Sequence, residues 1–185
     1  MRRGVLATIL GILLLLLPGT GEAHPHLFLE TSVGVAIMNG RLEGIRVRWV
    51  WDPWCSEDIL LECDADGDGR LNAAEAECVR RTFFEDAWDA RYFTAVFVEG
   101  KKVAFERARD FKVGIMQPDG RIVFDFLLPL SKPPSAKGKV EIVFNDDTIF
   151  TAFEEFVGAI GDSSAMKGFA SKIYDDFGVK ISFVL

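Results

Sequence analysis

Alternating apolar and polar residues in the first part of the chain predict two β-strands. Between His26 and Met38 the apolar side chains Leu27, Leu29, Val33, Val35 and Ile37 occupy odd-numbered positions and so share one face of a strand. The alternation resumes after Asn39-Gly40 and continues to Trp51. Successive side chains of a strand point to opposite faces, so each run has one face suited to a core. Asn-Gly is a preferred pair in tight turns, and the two runs therefore predict a hairpin.

The register of this hairpin follows from keeping charged side chains off the apolar face. A strict two-residue turn would pair Val33 with Arg46 and place arginines among the apolar side chains, because a slip of one residue turns every side chain to the other face. We predict either a three-residue turn with Gly40 in the left-handed conformation or a bulge at Gly44. Either one sets Val33 beside Val47.

A helical segment is predicted directly after the second strand. Asp52-Pro53 is typical of a helix N-cap and first helical residue, and this helix is expected to run to about Cys63. A second helix is expected from about Ala73, with apolar residues at helical spacing: Val79, Phe83, Phe84, Ala87 and Trp88. The two helices form a predicted insert over about residues 53–88.

The two-residue period returns after the helices and predicts seven further strands. They are Tyr92–Val98, Val103–Arg107, Phe111–Met116, Ile122–Leu130, Lys139–Asn145, Ile149–Phe156 and Val179–Leu185. Many short strands without alternating helices favour an antiparallel β-sandwich or a barrel-like domain. The predicted class is therefore α+β, with a helix-loop-helix inserted into a β-rich domain.

The start of the chain has the order of residues found in secretory signal peptides. Arg2-Arg3 precedes an apolar run from Val5 to Leu17, and the small residues of Gly21–Ala23 provide a cleavage site. The run is shorter than the roughly 20 residues that cross a bilayer, although a retained membrane anchor is the alternative. We expect residues 1–23 to be removed and residues 24–185 to form one domain that is periplasmic or secreted.

The net charge bears on the class of partner, and the cysteines bear on which disulfides are possible. The formal net charge is −7 and the sequence contains no basic run, so no nucleic-acid partner is expected. An odd number of cysteines in an oxidising compartment leaves at least one without an intramolecular partner. Cys55 and Cys63 lie too far apart along the first predicted helix to bridge. Cys78 can pair with either of them; the alternative is that the cysteines are small buried side chains without a bridge.

The segment from Asp64 to Glu75 matches an EF-hand calcium loop at every restricted position. Such a loop needs oxygen ligands at positions 1, 3 and 5, a carbonyl at 7, a residue at 9 that often acts through water, and a bidentate Glu at 12. These positions hold, in order, Asp64, Asp66, Asp68, Arg70, Asn72 and Glu75. Gly69 occupies position 6, where the chain turns sharply. We predict one Ca²⁺ in a weak or structural site; the alternative is a solvated acidic turn.

The tripeptide His24-Pro25-His26 is a second candidate metal site. After cleavage, the α-amine and ring of His24 are able to chelate one ion, with His26 and Glu30 on the same strand face. These ligands suit Ni²⁺, Co²⁺, Zn²⁺ or Cu²⁺. The alternative is a frayed terminus whose histidines bind nothing.

Taken together, these residues resemble a bacterial family of unknown function that is described as a periplasmic component of an uncharacterised ABC-type transport system. The residues that carry the resemblance are His24–Phe28, Arg46–Trp49, Leu60-Leu61, Asp64–Glu75, Tyr92–Thr94 and Asn145–Thr148. Members often lie beside nickel/cobalt efflux permeases, which implies a metal-transport accessory with a membrane metal permease as its partner. Asn145 and Asp147 depart from the Asp-Pro associated with that turn, so no role is carried over there.

The sequence therefore predicts an exported calcium-binding protein without enzyme activity, acting as a periplasmic accessory of divalent-metal transport. A structural or adhesive β-sandwich stiffened by calcium is the first alternative. A copper enzyme built on His24 is the second, and the small number of histidines disfavours it, as does the lack of nucleophile-elbow and phosphate-binding motifs in the sequence. The oligomeric state does not follow from the sequence.

Overall fold

A computed structural model describes residues 25–161 and 164–185 of the chain. In chain order the elements are β1 (Leu27–Met38), β2 (Arg41–Trp51), α1 (Pro53–Cys63), α2 (Ala73–Val79), β3 (Thr94–Val98), β4 (Lys101–Val103), β5 (Arg109–Ile115), β6 (Ile122–Pro129), β7 (Lys139–Phe144), β8 (Thr151–Ala159), β9 (Lys167–Tyr174) and β10 (Gly178–Val184). The predicted signal peptide, residues 1–23, lies outside the described residues and stays a prediction. No helix in the described part is long and apolar enough to cross a membrane.

The strands form two separate five-stranded sheets, as expected for an α+β sandwich. One sheet has the order β5-β6-β2-β1-β8 and the other has the order β4-β3-β7-β10-β9. Buried apolar side chains from both sheets belong to one core. The barrel-like alternative is wrong for the described residues, because the two sheets do not join into one closed sheet.

The hairpin β1–β2 has the predicted register. Val33 pairs with Val47, although the turn itself has only two residues, Asn39-Gly40, both with positive φ. The extra residue is Glu43, which forms a bulge one position before the predicted Gly44. The predicted bulge is therefore confirmed, at Glu43 instead of Gly44. The slip that it introduces keeps the arginines of β2 off the core face.

Three features of the sheets differ from the predicted pattern. β4 spans Lys101–Val103 instead of the predicted Val103–Arg107. β8 runs parallel to β1, whereas the other strand pairs among the described residues are antiparallel. β9 was not predicted at all; it forms a sheet edge, and its side chains are almost all exposed. An edge strand without a buried face has no reason to alternate apolar and polar residues, so its sequence carries no two-residue signal.

The second predicted helix is present but changes geometry along its length. α2 continues as a π-helical turn over Arg80–Phe84 and a 3₁₀ turn over Glu85–Trp88. The following residues Arg91–Phe93 all have φ near 50°, in the left-handed region that is costly for residues other than glycine. For this reason β3 starts at Thr94, two residues after the predicted strand start.

The helices are joined to the sandwich by aromatic packing and by two polar anchors. Trp49 of β2 is 1% exposed and contacts four other rings: Phe84, Phe93, Phe126 and Phe153. Asp52 caps α1 by accepting the Cys55 N–H (2.9 Å) and also accepts the Phe28 N–H of β1 (3.1 Å). The buried Ser56 hydroxyl accepts the Ile122 N–H of β6 at 2.9 Å. These contacts fix the helix that leads into the acidic loop.

Candidate metal centre

The acidic loop connects the end of α1 to the start of α2. α1 ends at Cys63 and α2 begins at Ala73, as the sequence predicted. The Asn72 side chain caps α2 by accepting the N–H groups of Ala74 (2.9 Å) and Glu75 (3.2 Å). In return the Glu75 carboxylate accepts the Asn72 N–H at 2.8 Å, which completes a capping box. The two last predicted ligand positions therefore also define where α2 starts.

The first three predicted calcium ligands come together in the structure. Asp64, Asp66 and Asp68 each offer a carboxylate oxygen, and these oxygens lie within 4.8 Å of one another. The backbone of the loop curls around them, because Gly67 and Gly69 donate their N–H groups to the two oxygens of Asp64 at 3.0 and 2.9 Å. Both glycines have φ near 70°, a conformation that a side chain would oppose.

The other three predicted ligands lie beside the three aspartates, but each already makes hydrogen bonds to other groups of the protein. Glu75 is 4% exposed, and its Oε1 accepts the Ala65 N–H at 3.0 Å, so it already closes the loop from the far side. Asn72 uses its side-chain oxygen to cap α2, and Arg70 donates its N–H to Asp68 at 2.8 Å. The predicted roles of Arg70, Asn72 and Glu75 as calcium ligands stay predictions.

Electrostatic repulsion within the loop raises the pKa of Asp66. The hydrogen bond from the Asp68 N–H lowers the pKa of Asp66, but slight desolvation and repulsion by Asp68, Glu75 and Asp64 outweigh it, so the pKa of this carboxyl is raised. A raised carboxyl pKa means that its negative charge is unfavourable in this arrangement. A bound cation would neutralise the repulsion between these carboxylates.

The cysteine pairing that the sequence left open is resolved around this loop. Cys63 and Cys78 form a disulfide with their Cα atoms 5.7 Å apart. Cys55 is free and half-buried. Burial raises the pKa of the Cys55 thiol to about 12, helped by the hydrogen bond and the negative charge of Asp52 and by the charge of Asp58.

The second candidate site is not assembled among the described residues. His24 lies outside them. His26 is exposed, its ring lies 5.5 Å from that of Phe150, and the described residues show no group of three potential ligand side chains that includes it. Glu30 forms an ion pair with Arg121, which also holds Asp119. A metal at His26 would therefore compete with Arg121 for the Glu30 carboxylate.

Sequence reasoning did not find Arg121 as the partner of Glu30, nor the pairing of Cys63 with Cys78. Glu30 and Arg121 are 91 residues apart and meet only because β1 and the start of β6 belong to the same sheet. No local pattern signals such a contact. The cysteine pairing had a partial signal, since the long separation of Cys55 and Cys63 along α1 excluded one of the three pairs.

Comparison with known proteins places the chain in a family without giving an activity. A family model described as a protein of unknown function (DUF1007) matches residues 9–166. An uncharacterized 15.5 kDa protein in the trpE 3′ region of Spirochaeta aurantia is 29% identical over 93 residues, which is 50% of this chain and 65% of that relative. The match spans slightly less than two thirds of the relative's length. By the extent of the family match, this chain belongs to the DUF1007 family of proteins of unknown function.

Proposed function

We propose that this protein is an exported calcium-binding protein in which the loop from Asp64 to Glu75 works as a single EF-hand. The observation that carries the proposal is the convergence of Asp64, Asp66 and Asp68 within 4.8 Å. Carboxylates held this close repel one another unless a cation neutralises them. Hard oxygen donors at these positions of a twelve-residue loop suit calcium.

The surroundings of the three aspartates favour calcium over magnesium. Calcium accepts six to eight oxygens in a flexible geometry, whereas magnesium demands a near-ideal octahedron and gives up its waters reluctantly. The Arg70 carbonyl and a water held by Asn72 would add to the shell. Glu75 would complete it by turning its carboxylate to the ion, which requires its two oxygens to leave the N–H groups of Ala65 and Asn72.

Calcium binding is expected to weaken as the pH falls from 7 towards 4. Calcium and protons compete for the carboxylates, and the raised pKa of Asp66 makes this carboxyl take up a proton more readily than an ordinary aspartate. Isothermal titration should give one calcium per chain at pH 7 and a larger Kd at pH 4. An Asp66→Asn variant should bind more weakly but depend less on pH. The same Kd at both pH values, with circular dichroism showing a folded protein, would contradict the role of Asp66.

We further infer a role as a periplasmic metal-binding accessory of a divalent-metal transport system, with a membrane metal permease as partner. The resemblance given above supports this role, and a calcium-stiffened structural or adhesive sandwich is the alternative. Metal analysis of protein purified from the periplasm separates them. Nickel, cobalt or zinc together with calcium supports the accessory role, and calcium alone supports the structural one. Copper with turnover would instead support an enzyme.

The transition metal of this accessory would bind at the mature N-terminus. The ligands that we propose are the α-amine and ring of His24, the ring of His26, and Glu30. His26 is exposed, so its ring is open to an ion arriving from solvent. Glu30 contributes only if it leaves Arg121. Substitutions of either residue of this ion pair should therefore change the metal affinity.

The mature protein is expected to bind Ni²⁺ more tightly than a form with one extra residue before His24. The extension moves the α-amine off His24 while both imidazoles stay intact. Glu30→Gln should weaken binding, whereas Arg121→Gln should strengthen it by releasing Glu30. Competition with a colorimetric chelator measures all four forms, and binding should fade at acidic pH, where protons compete with the metal for the imidazole nitrogens. Equal affinity of the mature and extended forms would exclude the amine as a ligand.

A further inference from the structure

The disulfide encloses the whole acidic loop in a covalent ring. Cys63 is the residue directly before Asp64, and Cys78 lies three residues after Glu75, so every proposed calcium ligand lies between the two half-cystines. The ring joins the last residue of α1 to the penultimate residue of α2. It therefore ties the C-terminal part of α2 to the end of α1 from which the loop starts.

The helix on the far side of the loop depends on outside support. α2 has only seven regular residues before the π-helical turn at Arg80–Phe84, and helices this short are not stable alone. Its first turn is held by the Asn72–Glu75 capping box, which itself includes two proposed ligands. The disulfide and the burial of Val79 hold its other end. The disulfide therefore adds a covalent restraint to these contacts, and without it the loop is expected to open more easily under the repulsion among its carboxylates.

We propose that the thiol–disulfide state of Cys63 and Cys78 controls the calcium affinity of the Asp64–Glu75 loop. This inference rests on the proposed calcium function. The ring removes open arrangements of the calcium-free loop, so less conformational entropy is lost when calcium binds. Coupling between two sites is reciprocal, and calcium therefore stabilises the disulfide by the same factor as the disulfide raises calcium affinity.

The chemical step is a two-electron reduction by a dithiol. The dithiol gives two electrons and two protons, becomes a disulfide itself, and leaves Cys63 and Cys78 as thiols. Cys55 takes no part, since it lies at the other end of α1 and its high pKa keeps it protonated and unreactive near neutral pH. The loop thus has one redox-active pair, and the remaining cysteine supplies a matched control.

The affinity test compares calcium binding to the oxidised protein and to two cysteine variants. The double variant Cys63→Ala/Cys78→Ala should bind calcium roughly tenfold more weakly, inside the 5–150-fold range usual for coupled sites. Cys55→Ala should bind as the oxidised wild type does. An unchanged Kd in a folded double variant would overturn the coupling and leave the calcium site standing. Failure of the oxidised wild type to bind calcium would instead overturn the proposed function and the coupling with it.

A second measurement on the wild-type chain does not depend on how the double variant folds. The protein is equilibrated in buffers of reduced and oxidised dithiothreitol, and the fraction of reduced Cys63 and Cys78 is read by thiol alkylation and mass spectrometry. Saturating calcium should raise the reduced-to-oxidised dithiothreitol ratio needed for half-reduction roughly tenfold, about 30 mV for a two-electron couple. Magnesium at the same concentration is the control. A ratio that calcium leaves unchanged would overturn the proposal.

Discussion

Calcium is expected to raise the melting temperature of the mature protein by roughly 5–11 °C at a hundredfold excess over its Kd. A ligand that binds only the folded state at this excess stabilises it by about 2.7 kcal/mol. A domain of this size gains about 2–4 °C for each kcal/mol. Single extracellular calcium modules have Kd values of about 10⁻⁴–10⁻³ M, so the titration should extend to tens of millimolar calcium. Differential scanning fluorimetry or calorimetry measures the rise.

Two variants in the loop should separate calcium binding from ordinary stabilisation of the fold. Glu75→Gln should lose most of the calcium-dependent rise. It should also melt earlier without calcium, because the buried carboxylate accepts the Ala65 and Asn72 N–H groups, and hydrogen bonds to a charged group contribute about 1.5–3 kcal/mol each.

Asp66→Asn should also lose much of the rise but should melt slightly later without calcium. A carboxyl whose pKa is raised by folding favours the folded state only while it is protonated, and this contribution is lost as the pH rises through the folded pKa. At pH 7 its charge therefore opposes folding, and the neutral amide removes that repulsion. No rise in the wild type at 30 mM calcium, or a full rise in Glu75→Gln, would exclude the site.

The largest loss of stability is expected from Trp49→Ala. Trp49 is 1% exposed and touches rings from the helical segment, from the turn before β3 and from two other strands of its own sheet: Phe84, Phe93, Phe126 and Phe153. Removing a buried Trp side chain costs about 3–5 kcal/mol through lost transfer energy and the cavity left behind. Urea unfolding followed by far-ultraviolet circular dichroism gives the free energy of unfolding.

The chain offers a matched control for this substitution. Trp54 stands on the outer face of α1 and is 83% exposed, so Trp54→Ala should change the free energy of unfolding by no more than about 0.5 kcal/mol. Trp49→Phe should fall between the two, since it keeps an aromatic ring among the four neighbours. Equal effects of Trp49→Ala and Trp54→Ala would show that Trp49 does not join the helices to the core.

Local patterns predicted most of the elements whose cause lies within a few residues of the chain. The cap and first turn at Asp52-Pro53 follow from a side chain that accepts the N–H three residues ahead and from a fixed proline φ. The pairing of Val33 with Val47 follows from the cost of turning arginines into a core. The gathering of Asp64, Asp66 and Asp68 was expected because their spacing matches positions 1, 3 and 5 of a calcium loop, with Gly69 at the sharp turn.

The tertiary structure alone decided the features that depend on residues distant in the chain. The choice of Cys63 over Cys55 as the partner of Cys78 depends on where α2 lies beside α1. The parallel pairing of β8 with β1 and the edge strand β9 depend on the order of strands in the sheets. Such contacts form when whole faces pack to bury apolar area, an energy summed over many residues that no local spacing encodes. The sequence alone therefore predicted the loop and its ligand types, and packing decided the disulfide ring that encloses it.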